Sequence, residues 1–459
     1  MQPINILLLC DEAARHTGTV DQHIRAFQNH SDNRVIVLDS RAASGVNVNL
    51  ELFDVVVFHY SIVISMLAFL PQPLYARLTE FQGTKILFIQ DEYRWVDRTA
   101  AAARDLGVSV VFTVVNRDVI RVIYRDPWFN SVRFEQTLTG FVPEELIDRS
   151  VPDYSARQFD VSYRARRVPS WLGEFGQDKW IIGERFKREA STYRLRCDIE
   201  MSEHSRIYGD AWIEFVANSR AVLGTESGAS YIDFTGDAKQ KVEAYETANP
   251  GTKFDEIQTR FLTGDGQNII HVISPRCFEA AALRTLMVLY PGDYSGLLQA
   301  GRHYVALAQD HSNMDEVVAI LKDETRARPI IEAAFNEVAK SPDLTFKALI
   351  KRFDLVVAEE LEKTQFGKPA MIESRRKTLA DRNIDDVFAD IKRSAVYLTR
   401  KRRLAMSSAL ALQRASSRLR YVVATKLPQP VARLLLCAGR AAKSAAKPLV
   451  KRLLIGRSE

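Results

Sequence analysis

Short runs of β-branched and aliphatic residues alternate with amphipathic stretches along most of this chain. That alternation restricts the fold more than any other feature. Within the first 140 residues the apolar runs are Ile4–Cys10, Arg34–Asp39, Phe53–Tyr60, Lys85–Gln90 and Val108–Val115. A near-continuous apolar run such as Asp54-Val55-Val56-Val57-Phe58 is what a parallel sheet covered by helices on both faces requires. Residues 1–150 are therefore expected to form a doubly wound α/β domain. The polar cluster Gln90-Asp91-Glu92-Tyr93 falls where such a sheet presents its carboxyl edge.

The pattern breaks at Pro143–Pro152 and then resumes. Phe159–Tyr163, Arg194–Ile199, Ala221–Gly224, Ile269–Ile273, Leu286–Tyr290 and His303–Ala308 read as strands. Lys179–Ala190, Asp210–Ser219, Pro275–Arg284 and Met314–Leu321 read as helices. Residues 151–325 thus form a second domain of the same kind, and two Rossmann-like domains in tandem place their carboxyl edges face to face across a cleft. The polar stretch 237–266 is too long for an ordinary connection and is expected to be a functional loop, a lid or a small helical insertion. Residues 326–390 read as helical, and 391–459 as a basic amphipathic tail.

With 459 residues, 46% apolar and 26% charged, the chain is neither a single small domain nor disordered. Its net charge of +6 conceals a division. Residues 391–459 hold seventeen Lys and Arg against one acid, Glu459, while residues 1–390 hold forty-six against fifty-six. Leu404, Ala411, Ala415, Leu419 and Val422 share one helical stripe, a pattern that suits a helix lying on an anionic membrane surface. A solvated tail is the plain alternative, and nucleic acid is not the expected partner, since an acidic body repels it. No run of about eighteen apolar residues and no export signal is present. The expected location is cytoplasmic, peripheral on the inner face of the cell membrane. Four scattered cysteines indicate neither disulfides nor zinc.

The stretch Ser274-Pro275-Arg276-Cys277-Phe278-Glu279-Ala280 carries the most chemistry. Ser274 suits an N-cap and Pro275 the first helical position. The helix they start aims its N–H groups and positive dipole end out of the sheet edge, toward a phosphate. Arg276 adds a forked donor for the same anion, and Glu279 can accept from a ribose diol.

On these residues, with Phe159–Arg166, Trp171-Leu172-Gly173, Lys179, Tyr294–Leu298, Gly301, Asp310 and Asn313–Val317, the chain resembles the GT-B glycosyltransferases. It is most similar to their bacterial group 1, CgeB-like branch with an Arg-x-Phe-Glu-Ala helix start. The resemblance implies two Rossmann-like domains, the first binding an acceptor and the second a nucleotide-diphosphate sugar. It also implies that Glu279 holds the donor ribose and that Arg164 or Arg166, with Lys179, neutralises the diphosphate. The partner glutamate of the retaining enzymes' Glu-x7-Glu pattern falls on His271, and Glu226 is the preferred candidate for that role. Gly18 and Thr19, in the first strand–helix turn, would lie beside the donor phosphates. No metal is implied: there is no Asp-x-Asp, and basic side chains with a helix end take the place of a cation. The nucleotide sugar is a co-substrate, and no cofactor is expected.

An inverting transferase needs a general base for the acceptor hydroxyl. Asp91 and Glu92, with His16, His23 and His59, are the acids and imidazoles that the strand pattern places near the cleft. Asp91-Glu92 could equally cap the helix starting near Trp95, and His271 within an apolar strand could be a core histidine. The expected acceptor is a glycan or lipid-linked intermediate of bacterial cell-surface polysaccharide. A nucleotide-sugar 2-epimerase and an inactive membrane-associated scaffold are the competing readings.

Overall fold

The computed structural model describes residues 4–46, 48–367, 389–391 and 393–394. The expected membrane-binding tail, 391–459, lies almost wholly outside the described residues. Among the described residues no helix is long and apolar enough to cross a membrane.

The chain is an α/β protein of two Rossmann-like halves facing across a cleft, with a helical insertion in the second. The first sheet comprises β1 (Asn5–Cys10), β2 (Arg34–Asp39), β3 (Val55–Phe58), β4 (Thr84–Ile89), β5 (Val110–Thr113) and β6 (Arg133–Gln136). All are parallel, in the order β2-β1-β3-β4-β5-β6, with Leu7 opposite both Ile36 and Val56. The intervening helices are α1 (Gly18–His30), α2 (Ser40–Val46), α3 (Gln72–Glu80), α4 (Val96–Leu106) and α5 (Arg117–Ile123). Ile6, Leu8 and Cys10 pack toward α1 on one face, while Leu7 and Leu9 are buried on the other. This two-sided burial is the reason the strands read as unbroken apolar runs. The short strand β6 has no such run: Arg133-Phe134-Glu135-Gln136 is half-buried throughout, the pattern of a sheet edge.

The second sheet comprises β7 (Phe159–Arg164), β8 (Cys197–Glu200) and β9 (Ser219–Gly224), joined by α6 (Glu174–Ala190) and α7 (Asp210–Ala217). After β9 the chain leaves the sheet. A two-stranded antiparallel ribbon, β10 (Ser227–Ala229) with β11 (Ile270–Val272), brackets α8 (Asp237–Ala248) and α9 (Phe254–Phe261). The run Ile269–Ile273 is therefore a strand, but of this ribbon and not of the main sheet. Gly228 has φ +138 and passes so close to Ile270 that a Cβ would lie 1.8 Å from its carbonyl oxygen, so the ribbon requires glycine there. The chain then resumes with α10 (Pro275–Ala282), β12 (Leu286–Leu289), β13 (Val305–Ala306) and α11 (Met314–Lys322). The sheet order is β8-β7-β9-β12-β13, the same winding as the first five strands of the first sheet.

The helical segment continues with α12 (Glu324–Ala333), a π-turn at Ala334–Ala339, and α13 (Phe346–Gly367). Phe346, Leu349, Ile350, Phe353, Val356 and Val357 form a stripe at helical spacing on α13. They pack beside Phe27, Phe88 and Phe112, so the chain returns from the second sheet to cover the first.

In both sheets the winding direction reverses beside the first strand, and the loops at the carboxyl ends there form a crevice. These two crevices face each other.

Candidate functional site

A cleft of about 880 Å³ lies between the two carboxyl edges. From the first half, Thr17, Gly18 and Thr19 after β1, Gln90 and Asp91 after β4, and Thr139 line it. From the second come Arg164 to Arg166 after β7, Lys179, Thr225 after β9, and Ser274 to Cys277 with Glu279.

Helix α10 begins as the sequence predicts, with Ser274 in the N-cap position and Pro275 following. The Ser274 hydroxyl makes no capping bond, however, and stands in the cleft wall. Arg276, in the first turn, is exposed to the cleft, donates from Nη1 to the Arg164 carbonyl and lies 5.0 Å from the Trp212 ring. One turn in, Glu279 Oε2 accepts from Trp212 Nε1 at 2.7 Å. Burial pushes the Glu279 carboxyl up from its ordinary range, while the indole bond and Arg276 pull it down.

Lys179 reaches the same wall from α6 and makes no ion pair with a described residue. Burial, with repulsion from Arg276 and Arg166, lowers its pKa to about 8 against the opposing pull of Asp91 across the cleft. Arg166 is exposed and likewise unpaired among the described residues. The two arginines at the end of β7 have separate fates. The Arg164 side chain is buried and spent, donating to the carbonyls of Ser205, Tyr163 and Asp198 at 2.9–3.1 Å and pairing with the Asp198 carboxylate at 2.8 Å. Arg166 therefore has the guanidinium free for a ligand.

On the opposite wall, the first turn of α1 presents the N–H groups of Gly18 and Thr19, which helix geometry leaves without intrahelical acceptors. A Cβ at Gly18 would meet nothing within 4 Å. Asp91 is half-exposed, accepts from the Tyr93 hydroxyl at 2.8 Å and pairs with Arg94 at 3.1 Å.

The structure takes the other expected residues off the wall. Glu92 is 3% exposed and turns into the body of the first half, where the hydroxyls of Thr113 and Tyr124 each donate to it at 2.6 Å. Burial pushes its pKa up to about 7. Glu226 is buried as well: it accepts from the backbone N–H of Tyr294 at 2.7 Å and of Asp293 at 3.3 Å, and braces that turn. His271 Nδ1 lies 3.3 Å from Glu226 and its Nε2 3.0 Å from Asn116 Nδ2, so it links the two halves. The bond to Glu226 raises its pKa. Strand alternation explains the placement, because Ile270 and Val272 face the cleft and His271 between them faces away. Glu226, His271 and Asp293 have donor atoms within 4.8 Å of one another, a spacing that suits a metal. The backbone N–H groups of Asp293, Tyr294 and Gly296 already occupy the carboxylates.

His23 and His59 are core residues, their rings 3.0 Å apart at Nδ1 and Nε2, both with pKa lowered by burial. His16 is exposed beside the cleft, its ring centroid 6.1 Å from that of Tyr208. Sequence reasoning passed over Trp212 and Tyr208, which line the cleft from α7 and the loop before it. The available signal was their position after β8, at a carboxyl edge.

No family model and no curated protein matches this chain. Among solved structures, an α-glucosyltransferase in complex with UDP and DNA is 8% identical, with 77% of this chain and 99% of that one covered at TM-score 0.44. The T4 phage β-glucosyltransferase in complex with UDP-glucose is 10% identical, covering 79% and 98% at TM-score 0.42. HepE of Anabaena in complex with UDP and glucose is 10% identical, covering 78% and 100% at TM-score 0.44. Likeness at this level leaves the chemistry of the cleft to be read from its own residues.

Proposed function

We propose that this chain is a glycosyltransferase that moves a sugar from a nucleotide-diphosphate donor to an acceptor hydroxyl. One observation carries the reading: three cations without an ion-pair partner among the described residues, Arg166, Lys179 and Arg276, line one cleft wall beside the start of α10. Unpaired cations held together at the cost of mutual repulsion suit a polyanionic ligand, and a diphosphate matches both their charge and the helix end. Glu279, one turn beyond and fixed by Trp212, is then placed to accept from the donor ribose.

In the transfer step the acceptor oxygen forms a bond to the anomeric carbon as the bond from that carbon to the diphosphate breaks. The leaving nucleoside diphosphate gains negative charge, which Lys179, Arg166, Arg276 and the α10 end stabilise. Asp91, on the acceptor wall and held by Tyr93 and Arg94, takes the acceptor proton. Neither Glu226 nor Glu92 takes part, since both are buried away from the wall. The basic C-terminal sequence supports an acceptor presented at an anionic membrane surface, a glycan or lipid-linked intermediate of cell-surface polysaccharide.

The test is transfer from a panel of nucleotide sugars to glycan, lipid-linked and nucleic-acid acceptors, following nucleoside diphosphate release. Transfer from one donor, lost in Arg276→Ala and in Asp91→Asn, is the expected result. Release of a free epimer without any acceptor would overturn it.

A further inference from the structure

The helical insertion is no lid over the cleft; it is built into both halves. The chain leaving β10 runs beside the turn after β4, where Asp233 N donates to the Tyr93 carbonyl at 2.8 Å and Asp97 N to the Phe234 carbonyl at 3.0 Å. Arg125, paired with Asp97 at 2.7 Å, lies 4.3 Å from the Phe234 ring. Trp95 takes a left-handed backbone, φ 49, with its indole against Gly236, φ +91, where an added Cβ would come 2.3 Å from Trp95 Cδ1. Buried Asp233 accepts from the N–H groups of Gly236 and Lys239 at 2.9 Å and so fixes the start of α8.

The same insertion holds the donor side. Asp265 Oδ2 accepts from Glu174 N at 2.9 Å and Ser230 Oγ from Phe175 N at 3.1 Å. These bonds cap the first turn of α6, the helix that carries Lys179. The insertion core of Trp171, Leu172, Val242, Ile257 and Leu262 also seats Tyr93, whose ring centroid lies 6.3 Å from that of Trp171. The hydroxyl of that tyrosine is the one that donates to Asp91.

We infer that the insertion is a positioning brace: it sets the place of Asp91 on the acceptor wall relative to Lys179 on the donor wall, with Tyr93 and Gly236 as its positioning residues. The inference rests on the glycosyltransferase reading, in which those two groups act on the two ends of one reacting bond system. A displacement of about 1 Å between such groups can cost on the order of a hundredfold in rate.

The test measures nucleoside diphosphate affinity and steady-state transfer separately, on the full chain, for Gly236→Ala and Tyr93→Phe. Gly236→Ala pushes Trp95 off its seat, and Tyr93→Phe removes the hydroxyl while keeping the ring on Trp171. Both are expected to bind the nucleotide within twofold of wild type and to lose at least fivefold in kcat at unchanged donor KM. If Gly236→Ala fails to fold, Phe234→Ala, which removes the insertion's ring from Arg125, takes its place. Wild-type kcat in the variants, with nucleotide bound normally, overturns the brace and leaves the function standing. A wild-type protein that binds no nucleoside diphosphate overturns the function first and the brace with it.

Discussion

Replacing Lys179 with methionine should move stability and binding in opposite directions. The ammonium is desolvated and repelled by Arg276 and Arg166, and its pKa falls from 10.5 to about 8. That difference corresponds to roughly 3 kcal/mol of unfavourable charge at neutral pH, and screening at this half-buried position reduces it to about 1–2 kcal/mol. Lys179→Met removes the charge, keeps most of the stem, and should stabilise the free protein by that amount. The same substitution removes a cation from the diphosphate and should weaken nucleotide binding by about a hundredfold, in the range of a charge-assisted contact. The unfolded lysine binds its proton up to pH 10.5 and the folded one only up to about 8, so stability of the free protein rises between those values. Urea unfolding of wild type and variant from pH 7 to 10, with nucleotide titration of each at pH 7, measures both effects. A variant less stable than wild type would show that Lys179 is a structural partner, and unchanged nucleotide affinity would show that it faces no anion. Either result would remove Lys179 from the diphosphate site.

Trp212→Phe keeps a ring beside Arg276 but removes the indole donor to Glu279, so nucleoside diphosphate affinity should drop by about tenfold, and titration calorimetry would measure it. Glu226→Ala should leave the N–H groups of Asp293 and Tyr294 without their acceptor and cost about 2–3 kcal/mol by chemical denaturation. Nucleotide binding should survive that change, and its loss would return Glu226 to the site. Acid should destabilise the protein as pH falls from 6.5 toward 3, because buried neutral His23 has its pKa lowered to about 3 while the unfolded imidazole protonates near 6.5. His23→Phe should flatten that part of the profile, read by thermal unfolding from pH 4 to 7.

Periodicity carried most of the architecture. The strands β1 to β5 have both faces buried, so their apolar runs announce them, whereas β6 at the sheet edge has no run to read. Proline and serine marked the start of α10 because the chemistry of a helix end is local. Positions that depend on which side of a strand or turn faces the cleft were not legible. His271 and Ile270 differ by one residue and lie on opposite faces of the ribbon, and only the pairing of β10 with β11 sets which one points inward. Arg164 closes β7 and Arg166 follows two residues later in the loop, yet Asp198 and Ser205 claim the first, and these partners are remote in sequence. Glu92 beside Asp91 follows the same logic: Thr113 and Tyr124 draw it inward.

Whether the cleft holds a donor nucleotide is decided by thermal unfolding of the full chain with UDP, GDP, ADP, CDP and dTDP, for wild type and for Arg276→Ala and Glu279→Ala. A nucleotide at about a hundred times its dissociation constant stabilises the native state by roughly 2.7 kcal/mol. A donor site in the cleft should give a raised melting temperature with one of the five, and both variants should lose it. Five unshifted curves, or a shift that survives both substitutions, would contradict it.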